Sequence, residues 1–232
     1  AERARRVAEE AVSTAERISG IWKLMLVPAL AVAAGALARA GLTDEALAVT
    51  ERIKDPEERA RALASVAGAL ARAESIDEAR EIVAMIDEPS SRSRAQSAII
   101  KALVGKGSSD EAVNMLRAAF AEVEGLVRRQ DAAAYCATLA AACLDAADLV
   151  DAGTTTHEQW LGLARSALAR SWLYGASVWD RFDVLLRVAP DLATRLVEER
   201  LLADPAPNPG AGPRPSSSPG PEGPGGGTPS SS

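Results

Sequence analysis

The chain has 232 residues and a formal net charge of −6 at pH 7. An acidic total argues against a general nucleic-acid-binding protein, because such proteins present a basic surface. Apolar residues make up 47% of the chain but aromatic residues only 3%, so a core has to be built mainly from Ala, Leu, Val and Ile. Ala is a strong helix former, and the chain has no alternating β-branched run, so the composition predicts an all-α fold.

An internal repeat is the strongest signal in the sequence. The tripeptide Asp-Glu-Ala begins at Asp44, Asp77 and Asp110, with 33 residues between successive copies. The segment Gly-Ala-Leu-Ala-Arg-Ala at 35–40 recurs with the same spacing at 68–73. A fixed period of this length is typical of helical units stacked on copies of themselves. The repeat therefore predicts an α-solenoid of antiparallel helix pairs.

Each repeat divides into a first helix, A, and a second helix, B. The predicted A helices cover 29–40, 57–73 and 91–106, and the predicted B helices run from each Asp-Glu-Ala to about residues 53, 86 and 124. A further B helix is predicted over residues 8–18, so we expect another A helix to precede the chain.

Residues at the predicted helix ends support these boundaries. Pro56 and Pro89 suit the first turn of a helix, where a missing N–H has no cost. Gly41 and Gly107 follow A helices, where a left-handed residue is needed. Because acidic side chains favour the positive end of a helix dipole, the repeated Asp-Glu pairs are interpreted as structural. Thr43 and Ser109 lie immediately before two of these pairs. Thr43 is predicted to cap the start of the first B helix, and Ser109 the start of the third.

Apolar residues recur at helical spacing along each A helix. Leu37, Leu70 and Leu103 occupy equivalent positions in the period and are predicted to be buried. The first two copies also have large and small residues at corresponding places, namely Leu30, Ala33-Ala34, Leu37 and Ala46, then Leu63, Val66-Ala67, Leu70 and Ala79.

In these positions the chain resembles tetratricopeptide-like repeats over roughly residues 8–120. That resemblance implies a right-handed solenoid with a groove lined by A helices. The chain departs from the family in its period of 33 rather than 34, in lacking the family's aromatic residues, and in having Glu74 where Gly is usual. Related helical-hairpin repeats would give the same pattern.

The resemblance also implies which residues line the groove. Carried over to this sequence, the groove positions include small residues, among them Gly35, Ala38, Gly68 and Ala71. They also include five basic residues, which are Arg39, Arg61, Arg72, Arg94 and Lys101. A basic groove would suit an extended acidic peptide, because Arg binds carboxylates through two parallel hydrogen bonds. The alternative is that these are solvated helix faces whose Arg stems cover Ala-rich surface.

The 33-residue period is lost beyond residue 119. Further helices are predicted over 128–149, 157–173, 177–189 and 190 to about 203. Larger side chains concentrate in this part, which is typical of a segment that caps a solenoid. The last 29 residues are rich in Pro, Gly and Ser and are predicted to be disordered. The predicted organisation is repeats over 1–125, a capping segment over 126–203 and a disordered tail over 204–232.

No pattern of catalytic residues is present. Cys136, Cys143 and the single histidine, His157, could form only an incomplete metal site, since the two Cys lie seven residues apart. Buried free thiols and a surface histidine are the simpler interpretation. The segment 105–108 only loosely echoes a phosphate-binding loop, and it follows a helix rather than a strand. No cofactor or metal is predicted.

The expected function is therefore a non-enzymatic scaffold or sensor that binds a protein or peptide, possibly an acidic one. The resemblance implies a module of a larger bacterial signalling protein, located in the cytoplasm. Two alternatives remain: a helical-repeat protein that binds nucleic acid, and a helical regulatory part of an NTPase or protease. The uncharged run 24–38 is too short for a membrane span and coincides with a repeat helix, so no membrane partner is predicted.

Overall fold

The computed structural model describes residues 23–202 together with Arg5, Arg6, Glu10 and Ser13. In chain order its helices are α1 (Lys23–Arg39), α2 (Thr43–Glu51), α3 (Pro56–Arg72), α4 (Ile76–Ala84), α5 (Pro89–Gly105), α6 (Ser109–Glu124), α7 (Arg129–Asp148), α8 (Thr155–Leu173), α9 (Phe182–Val188) and α10 (Pro190–Val197). The described part of the chain contains no β-strand, and the all-α prediction is confirmed. Most of the predicted helix over 8–18, and all of the predicted tail over 204–232, lie outside the described residues.

The A helices form one continuous layer. Helix α1 packs against α3 and α3 packs against α5, and α7 continues the layer by packing against α5. The B helices α2, α4 and α6 pack mainly on the A helices of their own and the following repeat, and hardly touch one another. Neighbouring helix pairs therefore stack as the repeat predicts, while the right-handed sense of the solenoid stays a prediction.

The three equivalent leucines occupy matching interior places. Leu37, Leu70 and Leu103 are 2%, 1% and 2% exposed. The backbone carbonyl of each accepts a hydrogen bond from the N–H five residues later, at 3.0, 3.0 and 2.8 Å. The same side-chain burial and the same backbone bond thus recur at each turn from an A helix to its B helix, which confirms the predicted interior stripe.

A residue with a left-handed backbone closes each of these turns. The φ angles are 75° at Gly41, 65° at Glu74 and 83° at Gly107. Glycine adopts this conformation without steric cost, whereas a residue with a Cβ does not. Glu74 is the only residue other than glycine with a positive φ in the described part of the chain, so the second repeat keeps the turn despite an unfavourable residue.

The predicted helix starts are partly confirmed. Pro56 and Pro89 are the first residues of α3 and α5, as expected. The cap predictions for Thr43 and Ser109 are wrong, because both lie inside the first turn and their helices have no side-chain cap. Thr43 instead donates its hydroxyl proton to Glu78 of the next repeat, at 3.2 Å.

Helices α7 and α8 form a further antiparallel pair that packs onto the repeats. Besides the α5–α7 packing, Arg170 of α8 lies over the ring of Phe120 on α6, 4.8 Å from its centroid. The single helix predicted over 177–189 is in fact a 3-10 turn at Val178–Arg181 followed by α9, since Arg181 leaves helical geometry with ψ of 42°. The predicted domain boundaries stay predictions.

Contacts divide the chain into one unit over residues 1–194 and another over 195–232. The described residues of the second unit are the end of α10 and a π-helical turn at Glu198–Leu202. Within this unit Arg195 forms an exposed ion pair with Glu199 at 3.8 Å.

The apolar run at 24–38 lies within α1. Across residues 23–202, none of the helices combines the length and apolarity that crossing a membrane would require.

A basic face and an inter-helix cleft as candidate sites

All five predicted partner-binding residues lie on A helices, but at two different levels. Arg61 and Arg94 occupy equivalent positions in the first halves of α3 and α5, while Arg39 and Arg72 end α1 and α3. Lys101 lies near the end of α5. In α3, Arg61 and Arg72 are eleven residues apart, which corresponds to about 16 Å along the helix. The five residues, here called the basic A face, therefore form two rows at opposite ends of the A layer rather than one cluster.

Three of the five already have a partner within the chain. Arg61 forms an ion pair with Glu58 one turn earlier, and Arg94 donates to the hydroxyl of Ser90 at 3.2 Å. Lys101 pairs with Asp145 of α7 at 3.1 Å.

The row formed by Arg39 and Arg72 is the more available one. Both side chains are exposed, and neither forms an ion pair with a described residue. These two guanidinium groups are therefore the members of the basic A face that a partner could engage without displacing an existing contact.

The small residues expected to line the groove are mostly buried. Ala38 and Ala71 are each 1% exposed, and Gly35 and Gly68 are also buried, so that part of the prediction is wrong. The reason is the close packing of successive A helices: a Cβ added at Gly35 would lie 2.6 Å from the Oγ of Ser65. Small side chains at these positions let successive A helices approach each other closely.

Charge is segregated between the two sets of helices. Helices α1 and α5 contain no acidic residue, and the only acidic residues of α3 are in its first turn. Conversely, α2 contains no basic residue, and acidic residues outnumber basic ones in α4 and α6. The described repeats thus combine a basic A layer with acidic B helices, although the whole chain is acidic.

The repeated Asp-Glu-Ala segments also connect neighbouring repeats. Glu78 accepts the Thr43 hydroxyl, and Glu111 forms an ion pair with Arg80 of the preceding B helix at 2.6 Å. Exposed pairs of this kind are typically worth less than about 1 kcal/mol each. The middle residue of the repeated segment therefore bridges successive B helices in addition to its place at a helix start.

A cleft lies between the B helices α4 and α6, above the first half of α5. Its volume is about 440 Å³, which falls within the range of small-ligand pockets. The middle of the cleft is mainly apolar: Val83, Ala84, Met115 and Ala118 line it together with one polar residue, Asn114. We call it the α4–α6 cleft.

Charged pairs lie at both ends of the α4–α6 cleft. The Arg80–Glu111 ion pair is at one end, and Arg92 and Glu122, 3.7 Å apart, are at the other. Glu111 and Glu122 are eleven residues apart on α6, so the cleft is about 16 Å long. Each end offers one hydrogen-bond donor group and one acceptor group.

A partly buried hydrogen-bond network adjoins the second end, in which Gln96 and Tyr135 are buried and Glu122 is 39% exposed. The Tyr135 hydroxyl of α7 lies 2.5 Å from Oε1 of Gln96 and 2.9 Å from Oε2 of Glu122. Gln96 Nε2 lies 3.2 Å from both Glu122 oxygens. Burial, with the nearby Glu122 carboxylate, raises the pKa of Tyr135 far above its ordinary value. The hydroxyl therefore keeps its single proton, which it can donate to only one of the two acceptors at a time.

Sequence reasoning missed this network. Gln96 occupies the position of Leu30 and Leu63 in the first two repeats, both of which are buried core residues. A polar residue at a position that is otherwise apolar was the available signal. Tyr135 and Glu122 lie beyond the region where the 33-residue period can be followed, so their contact with Gln96 could not be predicted from the repeat.

Cys136 and Cys143 are free and buried, as predicted. Burial raises the pKa of Cys136 to about 11 and that of Cys143 to about 12, so both are neutral thiols near pH 7. His157 lies in the first turn of α8, where its ring Nδ1 is 3.0 Å from the Ala147 carbonyl. No group of three or more His, Cys, Asp or Glu side chains in the described part of the chain could hold a metal ion.

Comparison with protein-family models, curated proteins and solved structures found no match to this chain. The structure is a helical array compatible with a helical repeat. Membership of the tetratricopeptide-like family stays a prediction that rests on the quoted residues.

Proposed function

We propose that this chain is a non-enzymatic scaffold or sensor module that binds an acidic segment of another protein on its basic A face. The observation that supports this is the segregation of charge: basic residues gather on the A layer of an acidic protein. A surface opposite in sign to the rest of the molecule favours an oppositely charged partner and speeds its association.

The geometry of the exposed row defines the expected ligand. Arg39 and Arg72 lie at equivalent ends of adjacent A helices, and adjacent helices are about 8–10 Å apart. An extended chain advances about 3.3 Å per residue, so about three residues span that distance. The fitting ligand is an extended peptide that crosses the A layer with an acidic side chain at about every third position.

A direct binding measurement tests this proposal. The probe is a fluorescent peptide with Glu at every third position, compared with a matched peptide that has Lys there. We expect the Glu peptide to bind the unchanged protein. The double variant Arg39→Glu/Arg72→Glu should bind this peptide at least about tenfold more weakly, which corresponds to a loss of only about 1.4 kcal/mol in binding free energy.

The matched control places the same charge change elsewhere. Lys54 and Arg117 are exposed and lie outside the A helices, so Lys54→Glu/Arg117→Glu changes the net charge equally. Equal affinities of the two double variants for the Glu peptide would reject the basic A face as the binding surface.

A nucleic-acid ligand is the second candidate, because Arg rows also bind phosphates. Helices α1, α3 and α5 contain no aromatic residue on which bases could stack, which favours a protein ligand. Tighter binding of a single-stranded oligonucleotide than of the Glu peptide, with a steep dependence on salt, would replace the protein proposal.

The wider context rests on the resemblance alone. We propose that the chain works in the cytoplasm as the sensor or scaffold part of a larger bacterial signalling protein, whose effector would be an NTPase or a protease. The sequence of the complete gene tests this directly, since an effector domain in the same reading frame is the expected finding.

A further inference from the structure

The α4–α6 cleft has the form of a site for an elongated ligand. It runs along α6 for about 16 Å and has an apolar middle between two charged ends. An extended peptide of about five residues has that length. The cleft is lined by the B helices α4 and α6 together with Arg92 and Gln96 of α5. None of the five residues of the basic A face lines it, so it is separate from that face and from the function proposed for it.

The two ends together set the chemistry of the ligand. Each end holds one cation and one carboxylate: Arg80 with Glu111, and Arg92 with Glu122. A ligand of either net charge would therefore meet a like charge at both ends. A peptide group fits, because its carbonyl accepts from a guanidinium while its N–H donates to a carboxylate. The apolar middle, formed by residues such as Met115, fits an aliphatic side chain.

We propose that the α4–α6 cleft binds a short, uncharged, extended peptide segment, with its aliphatic side chains on Met115 and Ala118 and its main-chain amides on the charged pairs at the two ends. No feature of the basic A face is needed for this binding.

The buried network supports a role in binding as well as in packing. A leucine at residue 96 would continue the core of the first two repeats, whereas Gln96 and Tyr135 bring polar atoms into a place that is apolar elsewhere. Tyr135 has one proton for two acceptors, Gln96 and Glu122. Glu122 also accepts from Nε2 of Gln96 and lies 3.7 Å from Arg92, and its side chain is 39% exposed. Gln96 and Tyr135 therefore hold the Glu122 carboxylate at the second end of the cleft, where a ligand N–H can reach it.

Methyl NMR of the methionines is a sensitive test, because the chain has only three. Met115 lines the cleft, whereas Met85 is exposed and is not among the lining residues. The probe is the capped peptide acetyl-Ala-Leu-Leu-Ala-amide, and acetyl-Ala-Glu-Glu-Ala-amide is the charged comparison. We expect the neutral peptide to shift the Met115 methyl signal saturably while Met85 stays unchanged, and the charged peptide to have no such effect.

Two neighbouring alanines of α6 provide a matched pair of variants. Ala118 lines the cleft, while Ala121 is exposed and does not. Ala118→Leu fills the apolar middle, so we expect it to abolish the Met115 shift. Ala121→Leu adds the same side chain outside the cleft and is expected to leave peptide binding unchanged.

A second variant separates binding from folding. Gln96→Leu/Tyr135→Phe restores the apolar residue of the earlier repeats and removes both members of the buried pair together, which is commonly neutral or stabilising. We expect unfolding at an equal or higher denaturant concentration. We expect a peptide affinity that is about fivefold weaker, because Glu122 is no longer held by Gln96 and Tyr135 and its hydrogen bond to the peptide is lost.

Three results would overturn the proposal. These are an unshifted Met115 signal at the solubility limit of the neutral peptide, a shift that survives in Ala118→Leu, and undiminished affinity in the Gln96→Leu/Tyr135→Phe variant. Because none of these variants alters the basic A face, failure here leaves the Glu-peptide measurement valid, and the reverse also holds.

Discussion

Replacing Glu74 with glycine should stabilise the protein. Glu74 closes the turn from α3 to α4 with φ of 65°, and the equivalent residues of the neighbouring repeats are Gly41 and Gly107. The turn keeps its backbone bonds: the N–H of Glu74 donates to Ala71 at 3.1 Å, and the N–H of Ser75 donates to Leu70 at 3.0 Å. Glu74→Gly leaves these bonds intact and removes only the side chain.

The expected gain is the difference between two opposing effects. A residue with a Cβ loses roughly 1–2 kcal/mol in the left-handed conformation. Glycine in turn loses about 0.5–1 kcal/mol more conformational entropy on folding. Glu74 also lies 3.6 Å from Lys106, but both side chains are more than half exposed, so that pair is worth less than about 1 kcal/mol. With mid-range values, and after the lost ion pair is subtracted, the net gain should be about 0.5 kcal/mol.

Urea unfolding followed by circular dichroism measures the gain, and two controls isolate its cause. Glu74→Ala loses the Lys106 pair but keeps the strained backbone, so it should not stabilise. Gly107→Ala should destabilise by about 1 kcal/mol; a Cβ there would meet no atom within 4 Å, so any loss comes from the backbone conformation. The reasoning is refuted if Glu74→Gly proves no more stable than Glu74→Ala.

Three further outcomes are expected. Leu70→Ala should cost about 2–5 kcal/mol in urea unfolding through the cavity it leaves at a fully enclosed site; a loss below that of an exposed leucine would contradict the interior assignment. Burial raises the pKa values of Cys136 and Cys143 to about 11 and 12, so a thiol reagent should label them only after unfolding, and rapid labelling of the folded protein would argue against burial. Because these pKa values are higher in the folded than in the unfolded state, the contribution of the two thiols to stability should fall as pH rises above the unfolded-state pKa of roughly 8.5. The hydrogen bond from Arg187 lowers the pKa of Asp148, so Arg187→Leu should raise that pKa in an NMR titration. The variant should also lose the stabilisation that the pair gives at neutral pH, which in the unchanged protein disappears as pH falls below the unfolded-state pKa of Asp148. An unchanged Asp148 pKa in the variant would show that the pair does not form in solution.

The sequence predicted the repeating part of the fold well, because the same physical requirement recurs in every copy. Each A helix needs one buried stripe and a turn with a left-handed residue, so Leu37 and Gly41 could be assigned by comparison with the later copies. The caps were predicted less well. Thr43 has a residue type that is common at helix caps, but its hydroxyl bonds Glu78 of the next repeat, and contacts between repeats cannot be read from residue type.

The candidate sites were predicted only in part, for a related reason. The resemblance identified basic residues on A helices but also placed Ala38 and Ala71 in an open groove, where close helix packing in fact buries them. Side-chain size at a groove position does not reveal how near the adjacent helix comes. The α4–α6 cleft was missed altogether, because it depends on B helices that hardly touch one another, and the repeat pattern contains no information about that gap.

The positions where the copies disagree are the better guide to function in this chain. Gln96 stands where the earlier repeats have leucine, and Lys101 stands where they have Gly35 and Gly68. Both residues contact α7, Gln96 through Tyr135 and Lys101 through Asp145. Residues that agree between copies are explained by stacking, since every copy has to stack. A polar residue in only one copy gives up part of that packing, and at residue 96 it does so beside a cleft large enough to hold a ligand. This reasoning, more than the size of the cleft, is why the binding experiments include the Gln96→Leu/Tyr135→Phe variant.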